Sequence, residues 1–292
     1  MAFQPIVDLG SGRIWGYEAL VRGLDGAGAG AVLSRVTPEN RYRFDQACRV
    51  KAIELAARLF PDDDTRLSIN FMPNAVYDPA ACIRTTLLAA GRTGFALDRI
   101  MFEFTENEPM VDTKHVEGII AEYKRRGFIT AIDDFGAGFA GLKLLANFQP
   151  DLIKIDMELV RGIDTSPARQ AIVAGIMGIC RELDIAVLAE GIETEAELTV
   201  LRAAGVSLMQ GYHLARPAIA SLPTVGDGEP TQYSETGDSG SENDAQSGQG
   251  MHAGGGADDE ASVESAERFL ANAEDEIREF GEFASRTAWV QN

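Results

Sequence analysis

The 292-residue chain carries a formal charge of −19, is 45% hydrophobic and contains three cysteines. Its acidity disfavours nonspecific binding to nucleic acid or to anionic membranes, and no apolar run approaches the about 20 residues that a membrane-spanning helix needs. The three cysteines, Cys48, Cys82 and Cys180, are odd in number and far apart, so we expect reduced thiols in a cytoplasmic protein. From the charge and the lack of a long apolar run we expect no membrane insertion, no export and no nucleic-acid partner.

The first two strand-like runs cover residues 3–9 and 14–18 and are joined by residues 10–13. A connection of this length is too short for a helical crossover, which parallel strands require. The sequence therefore predicts that the opening pair of strands is antiparallel.

Strands and helices then alternate along the chain. Further strand-like runs begin near residues 66, 100, 129, 152, 186 and 207. Amphipathic helices are predicted over residues 43–60, 78–90, 113–126, 138–148, 167–183 and 194–204. Alternation of this kind implies parallel pairing with right-handed crossovers, and eight strands within about 220 residues predict an α/β fold of the TIM-type (β/α)₈ barrel class, with an antiparallel first strand.

Acidic and amide residues lie at or near the C-terminal ends of these apolar strands. They are Glu18, Asn70, Glu103, Asp133, Asp134, Glu190 and Gln210. A carboxylate left unpaired in a dry interior costs several kcal/mol, so such a set needs a compensating cation. Oxygen ligands without cysteine or histidine indicate a site for Mg²⁺ or Mn²⁺. Neighbouring strand residues face opposite sides, so both aspartates can face the ions only if Asp134 lies where the strand opens into a loop.

Seven short motifs follow one another along residues 2–222. They are Phe3-Gln4-Pro5-Ile6, Glu18-Ala19-Leu20 with Arg22, Glu103-Phe104-Thr105-Glu106, Asp133-Asp134-Phe135-Gly136, Lys154-Ile155-Asp156, Ala189-Glu190-Gly191-Ile192-Glu193 and Gln210-Gly211-Tyr212. In this order and at this spacing they resemble an EAL domain, the cyclic di-GMP phosphodiesterase family. The family's fold is a TIM-type barrel with an antiparallel first strand, and the resemblance implies a homodimer that hydrolyses cyclic di-GMP to linear pGpG.

The resemblance also implies roles for individual residues. Two ions would polarise the phosphodiester and lower the pKa of a shared water. Glu18, Asn70, Glu103 and Asp133 would bind one ion, Asp133 with Asp134 would reach the second, and Gln210 would contact a metal or its water. Lys154 would hold the attacking water and Glu190 would be the general base or orient that water, with Glu18 also in the catalytic set. Arg22 would bind phosphate, Gln4 would lie near a guanine, and Glu106 and Glu193 would support the site and its loop.

The loop after the aspartate pair departs from the family pattern, in which hydroxyl-bearing residues are usual. Here Ala137, Phe139 and Ala140 replace them, while Gly136 and Gly138 remain. In the family this loop connects the metal site to the dimer interface. We therefore expect a loop that still functions but whose effect on activity is altered.

The C-terminal quarter of the chain differs in composition from the barrel. Residues 223–260 are rich in glycine, serine and acidic residues, which predicts a disordered acidic linker. Residues 261–292 carry a heptad-like apolar stripe, which predicts an amphipathic helix. This helix would dock on its own barrel, on the sister subunit or on an outside protein partner.

Three functions remain open from the sequence. The first is metal-dependent hydrolysis of cyclic di-GMP. The second is a non-catalytic receptor that binds the same dinucleotide and signals through the C-terminal helix. The third is a scaffolding role carried by the acidic tail. The motifs lack none of the expected metal ligands, and this favours the hydrolase.

Overall fold

A curved sheet that closes on itself forms the centre of the computed structural model, which describes residues 1–23, 26–73, 82–105, 113–136 and 141–226. Its strands are β1 (Ala2–Asp8), β2 (Arg13–Leu20), β3 (Arg66–Asn70), β4 (Ile100–Thr105), β5 (Ile129–Phe135), β6 (Leu152–Ile155), β7 (Ala186–Ala189), β8 (Leu208–Met209) and β9 (Ala218–Ile219). Strands β2 to β8 pair in parallel in chain order. The predicted TIM-type barrel is therefore confirmed.

Strand β1 closes the barrel against the direction of the others. It pairs antiparallel with β2, where Ala2 lies opposite Leu20, and antiparallel with β8, where Val7 lies opposite Met209. The predicted antiparallel opening pair is thus confirmed. Strand β9, which was not predicted, adds to the start of β1 outside the closed ring.

Helices cover the outside of the barrel. They are α1 (Ala29–Leu33), α2 (Arg41–Leu59), α3 (Arg84–Thr93), α4 (Thr113–Arg125), α5 (Gly141–Asn147), α6 (Met157–Val160), α7 (Pro167–Glu182) and α8 (Glu195–Ala203). Local chemistry explains several starts. The Ser166 side chain accepts a hydrogen bond from the Arg169 amide with Pro167 in the first turn, and Thr194 forms a capping box with Glu197.

The predicted helices agree with these elements at most positions. The helix predicted over 78–90 is observed from Arg84, and residues 74–81 lie outside the described part of the chain. Helices α1 and α6 were not predicted. The predicted linker and C-terminal helix lie, from residue 227 onward, outside the described residues. None of the helices described is both long enough and apolar enough to cross a membrane.

Apolar side chains fill two separate spaces. The larger lies between the strands and the surrounding helices. The smaller lies inside the barrel and is built from Ile6, Met101, Ala131, Leu152, Leu188 and Leu208. Side chains two positions apart on a strand share a face, so the residues two positions further along β4 to β8 also face the barrel interior. Those residues are Glu103, Asp133, Lys154, Glu190 and Gln210. An apolar floor therefore supports a polar layer at the C-terminal ends of the strands.

Candidate metal and catalytic site

Lys154 lies at the centre of the polar layer. Its ammonium nitrogen is 2.6 Å from Glu103 Oε2, 2.7 Å from Glu190 Oε1 and 3.0 Å from Asp133 Oδ1. Glu18 Oε2 lies 3.7 Å away. The Lys154 side chain is 1% exposed and Glu103 is fully buried, so the pair between them is shielded from water, whereas Asp133 and Glu190 are partly exposed. The ends of five strands thus bring one ammonium and four carboxylates together.

Glu18 is held by amides from two other strands. Asn70 Nδ2 donates to Glu18 Oε1 at 2.7 Å, and Gln210 Nε2 donates to Glu18 Oε2 at 2.8 Å. Both oxygens of this carboxylate are therefore fixed in direction. The predicted set of Glu18, Asn70 and Gln210 comes together although it spans three strands.

Two hydroxyl groups that the sequence did not single out orient other carboxylates. Ser68 Oγ donates a short hydrogen bond to Glu103 Oε1, and Thr105 Oγ1 donates to Asp134 Oδ2 at 3.0 Å. Ser68 lies two positions before Asn70, so the period of two that identified the ligand-like residues could also have identified it. Both hydroxyls limit the directions in which the carboxylate oxygens point.

Asp134 reaches the site by a different route from the one predicted. Strand β5 continues to Phe135, and the register shifts between Ile132 and Phe135, which marks a bulge. Asp134 adopts φ = 55°, in the left-handed region that non-glycine residues rarely occupy. The expectation that the strand opens into a loop at Asp134 was wrong, because the bulge itself inserts the extra residue. Strained backbone of this kind occurs frequently at functional sites.

The carboxylates and the lysine shift one another's proton affinities. Burial raises the pKa of Glu103 to about 8, with Glu18 and Asp133 acting in the same direction and Lys154 opposing them. Burial likewise raises the pKa of Glu190 well above its ordinary value. Burial lowers the pKa of Lys154, but Asp133 and Glu103 outweigh it and the net pKa lies well above the ordinary value. Lys154 is therefore a permanent cation, whereas Glu103 and Glu190 bind protons more readily than free glutamate.

The donor set fits a divalent cation. Asp133, Asp134 and Glu190 offer oxygen atoms that lie within 4.8 Å of one another. In addition, Gln210 Oε1 is buried and has no hydrogen-bond partner among the described residues, while the nitrogen of the same amide is bonded to Glu18. A buried polar atom without a partner is costly, and a hard cation would satisfy it. Carboxylate and amide oxygens are the ligands that Mg²⁺ and Mn²⁺ favour.

The other predicted site residues have different positions. Gln4 is buried, lies opposite Glu18 in the β1–β2 register and donates to the Ala215 carbonyl at 3.2 Å. Half-buried Arg22 donates to the Val21 carbonyl at 2.8 Å. Exposed Glu193 pairs with Arg161 at the surface rather than with the carboxylates around Lys154. Glu106 and loop residues 137–140 lie outside the described residues. The roles of these residues stay predictions.

The loop that follows β7 is tied to β8. Gln210 N donates to the Ala189 carbonyl at 2.9 Å, and Ile192 N donates to the Gln210 carbonyl at 3.2 Å. A Cβ atom at Gly211 would collide with the backbone of Ile192. Glycine at this position therefore allows the strand ends that carry Glu190 and Gln210 to approach each other.

The model of the EAL domain family matches residues 1–217. The chain belongs to the EAL domain family. The match includes the strand ends that carry the polar layer from Glu18 to Gln210.

Curated relatives are longer than this EAL domain. The blue light- and temperature-regulated antirepressor BluF of Escherichia coli is 34% identical over 77% of this chain and 55% of its own length. A cyclic di-GMP phosphodiesterase of Pseudomonas aeruginosa is 28% identical over 75% of this chain and 38% of its own length. The chain thus spans about half of the first relative and less of the second.

Solved structures share the barrel. A standalone EAL protein from Vibrio cholerae, in its cyclic di-GMP-bound form, is 54% identical and superposes with a TM-score of 0.75 over 77% of this chain and 94% of that one. BlrP1 of Klebsiella pneumoniae, in a complex with manganese and cyclic di-GMP, is 36% identical with a TM-score of 0.73 over 77% of this chain and 57% of that one.

Proposed function

We propose that this EAL domain is a metal-dependent phosphodiesterase that hydrolyses cyclic di-GMP to linear pGpG. The observation that carries the proposal is the buried contact of Lys154 with Glu103, Asp133 and Glu190 at the C-terminal ends of the strands. Active sites of TIM-type barrels occupy this face. A buried group of carboxylates around one ammonium suits chemistry on an anionic phosphate only when cations are also present.

Each residue has a chemical task in this proposal. Glu18, Asn70, Glu103, Asp133, Asp134 and Gln210 would hold two Mg²⁺ or Mn²⁺ ions. When bound, the ions would polarise the phosphodiester and lower the pKa of the attacking water. Lys154 orients that water and offsets negative charge on the phosphate. Glu190 accepts the proton of the water or orients that water, and burial raises its pKa, which makes it a stronger proton acceptor than free glutamate.

The relatives support the proposal. The Pseudomonas aeruginosa relative is named a cyclic di-GMP phosphodiesterase. Cyclic di-GMP is present in the Vibrio cholerae and Klebsiella pneumoniae structures, the latter with manganese in one complex and calcium in another. We also infer that the chain acts as a homodimer and that its C-terminal residues bind a partner or the barrel.

The test is a product assay on the full chain. Purified protein is stripped of metal, incubated with cyclic di-GMP and Mg²⁺, Mn²⁺ or Ca²⁺, and its products are separated by chromatography. We expect linear pGpG with Mg²⁺ or Mn²⁺ and little product with Ca²⁺, whose looser coordination polarises water less. Glu18→Ala should abolish turnover, while Glu122→Gln, on the α4 surface with Arg125 and Arg126, should not. Wild-type turnover by Glu18→Ala would refute the assignment.

A non-catalytic receptor is the second candidate. The observation that favours it is that the Escherichia coli relative is named an antirepressor. A receptor would bind cyclic di-GMP, detectable by calorimetry, and yield no pGpG with any of the three metals. The product assay therefore separates the two functions.

A further inference from the structure

A buried ion pair on helix α2 lies outside the acidic layer. Arg49 Nη2 is 2.7 Å from Asp45 Oδ2, one helical turn away, and the two side chains are 0% and 1% exposed. A buried ion pair adds little stability, because desolvation offsets the attraction of the charges and apolar pairs of similar size often serve as well. The position of this pair therefore calls for an explanation other than stability.

Each member of the pair has a second partner on another element. Asp45 Oδ1 accepts a hydrogen bond from the backbone amide of Met72 at 3.0 Å. Arg49 Nη1 donates to the hydroxyl of Tyr123, on helix α4, at 2.8 Å. The guanidinium also lies 5.2 Å from the ring centre of Phe71. The pair thus connects α2 and α4 to the segment that follows β3.

That segment leads directly from the acidic site. Asn70 ends β3 and donates to Glu18 at 2.7 Å, and the next two residues are the ones that the ion pair contacts. Phe71 N donates to the Glu103 carbonyl at 2.9 Å, so the backbone is fixed on the barrel side as well. Asn70 is itself exposed, which means that packing does little to fix its amide. Its backbone is fixed by sheet pairing with Glu103 on one side and by the bonds to the two following residues on the other.

The backbone amide of Met72 needs a hydrogen-bond acceptor at the position of Asp45. A neutral apolar side chain at this position could fill the same space but could not accept the Met72 amide. A carboxylate held by a guanidinium accepts it strongly, because charge-assisted hydrogen bonds are stronger than neutral ones. Arg49 in turn is fixed by its bond to the Tyr123 hydroxyl, and its guanidinium lies 5.1 Å and 5.9 Å from the ring centres of Phe102 and Tyr123.

We propose that Asp45 and Arg49 are positioning residues that set the place of the Asn70 amide, and through it the strength of divalent-cation binding beside Glu18. The inference rests on the proposed metal-dependent function. Groups that orient metal ligands without touching the metal commonly change its affinity by about 10–100-fold when they are replaced.

The test measures Mn²⁺ affinity of the full chain by electron paramagnetic resonance titration of metal-stripped protein. The main variant is the double substitution Asp45→Leu with Arg49→Met, which removes both charges together and avoids a buried unpaired ion. A milder variant, Tyr123→Phe, removes the hydroxyl that accepts a hydrogen bond from Arg49. The matched control is Glu54→Gln, which breaks the α2–α3 pair with Arg92 and leaves the β3 segment untouched.

We expect the double variant to melt close to the wild type without metal, yet to bind Mn²⁺ about 10–100-fold more weakly. Tyr123→Phe should show a smaller loss and Glu54→Gln none. The side-chain amide signal of Asn70 in nitrogen–proton NMR spectra of metal-free protein should shift in the double variant and not in the control. This last readout does not depend on metal.

Two results overturn the proposal in distinguishable ways. If the wild type binds Mn²⁺ and the folded variants bind it equally tightly with an unshifted Asn70 signal, the pair is structural and the proposed function stands. If the wild type itself binds no Mn²⁺, the metal-dependent function fails and the positioning role toward the metal fails with it. Should the double variant not fold, unchanged affinity and an unshifted Asn70 signal in Tyr123→Phe overturn the inference in the same way.

Discussion

Replacing Lys154 by methionine would show how strongly the acidic layer depends on its central cation. The substitution keeps most of the side-chain length and removes ion pairs of 2.6 Å to Glu103, 2.7 Å to Glu190 and 3.0 Å to Asp133. Removing one partner of a buried pair costs about 3–5 kcal/mol when the other partner stays charged. For a domain of this size, each kcal/mol lowers the melting temperature by about 2–4 °C, which gives a deficit of roughly 6–20 °C.

The deficit depends on pH because the carboxylates can bind protons instead. Burial raises the pKa of Glu103 to about 8 in the native protein, well above its ordinary value, so this group lowers stability increasingly as pH rises from about 4.5 to 8. Lys154 opposes this shift, so in its absence the pKa of Glu103 in the folded protein rises further. The loss of stability caused by Glu103 then extends to higher pH. We therefore expect the melting deficit of Lys154→Met to be small near pH 6 and to approach the full value near pH 9.

The assay is calorimetric unfolding of metal-free protein in chelator between pH 6 and 9. Lys124→Met is the matched control, since Lys124 lies 2.8 Å from Asp151 at the surface, where both side chains are more than a third exposed. Pairs of that kind contribute about 0–1 kcal/mol. A deficit of Lys154→Met that matches the control, or that is larger at pH 6 than at pH 9, would refute the reasoning.

Further expectations concern catalysis, the loop after β7, metal uptake and the C-terminal tail. Lys154→Ala and Glu190→Gln should lower kcat by about 10²–10⁴ while calorimetric affinity for cyclic di-GMP with Ca²⁺ changes little; equal losses would reassign both residues to substrate contact. Glu197→Gln should destabilise the fold by about 1–3 kcal/mol in urea at pH 7, since backbone amides of three residues donate to this carboxylate. Burial alone would raise the pKa of Glu197, but these hydrogen bonds outweigh burial and lower it. The stability deficit of Glu197→Gln should therefore shrink as pH falls below about 4.5, and a deficit that stays constant with pH would contradict this. Mn²⁺ affinity should rise from pH 6 to about 8, because Glu103 must release its proton before it can bind the ion. Calorimetric titration in two buffers measures both the affinity and the protons released, and an affinity that does not change with pH would contradict this. Truncation after residue 226 should keep activity but change light-scattering mass, rate or partner binding, and an unchanged protein would make the tail a solubilising appendage.

Much of the barrel could be predicted because strands impose a period of two. Met101 and Glu103, or Leu152 and Lys154, are separated by two positions, so an apolar floor residue is followed by a polar residue on the same face. That regularity is local and is visible in the sequence. The short link between β1 and β2 likewise determined their direction.

What the sequence did not reveal depends on contacts between distant residues. Asp134 faces the site through a bulge in β5, and a bulge leaves no clear sequence signal when the residue concerned is not glycine. The Arg49 and Tyr123 contact joins residues 74 positions apart, on helices whose amphipathic patterns say nothing about polar pairing. Short elements such as α6 owe their start to a cap, here Asp156, rather than to periodicity.

The reversed direction of β1 gives the chain a natural place for a chemical label. Ala2 pairs with Leu20 and Ile219, so the first residue emerges at the barrel face that holds Lys154 and not at the opposite end. A cysteine substituted for Met1 and coupled to a thiol-reactive fluorophore would therefore place a reporter beside the polar layer.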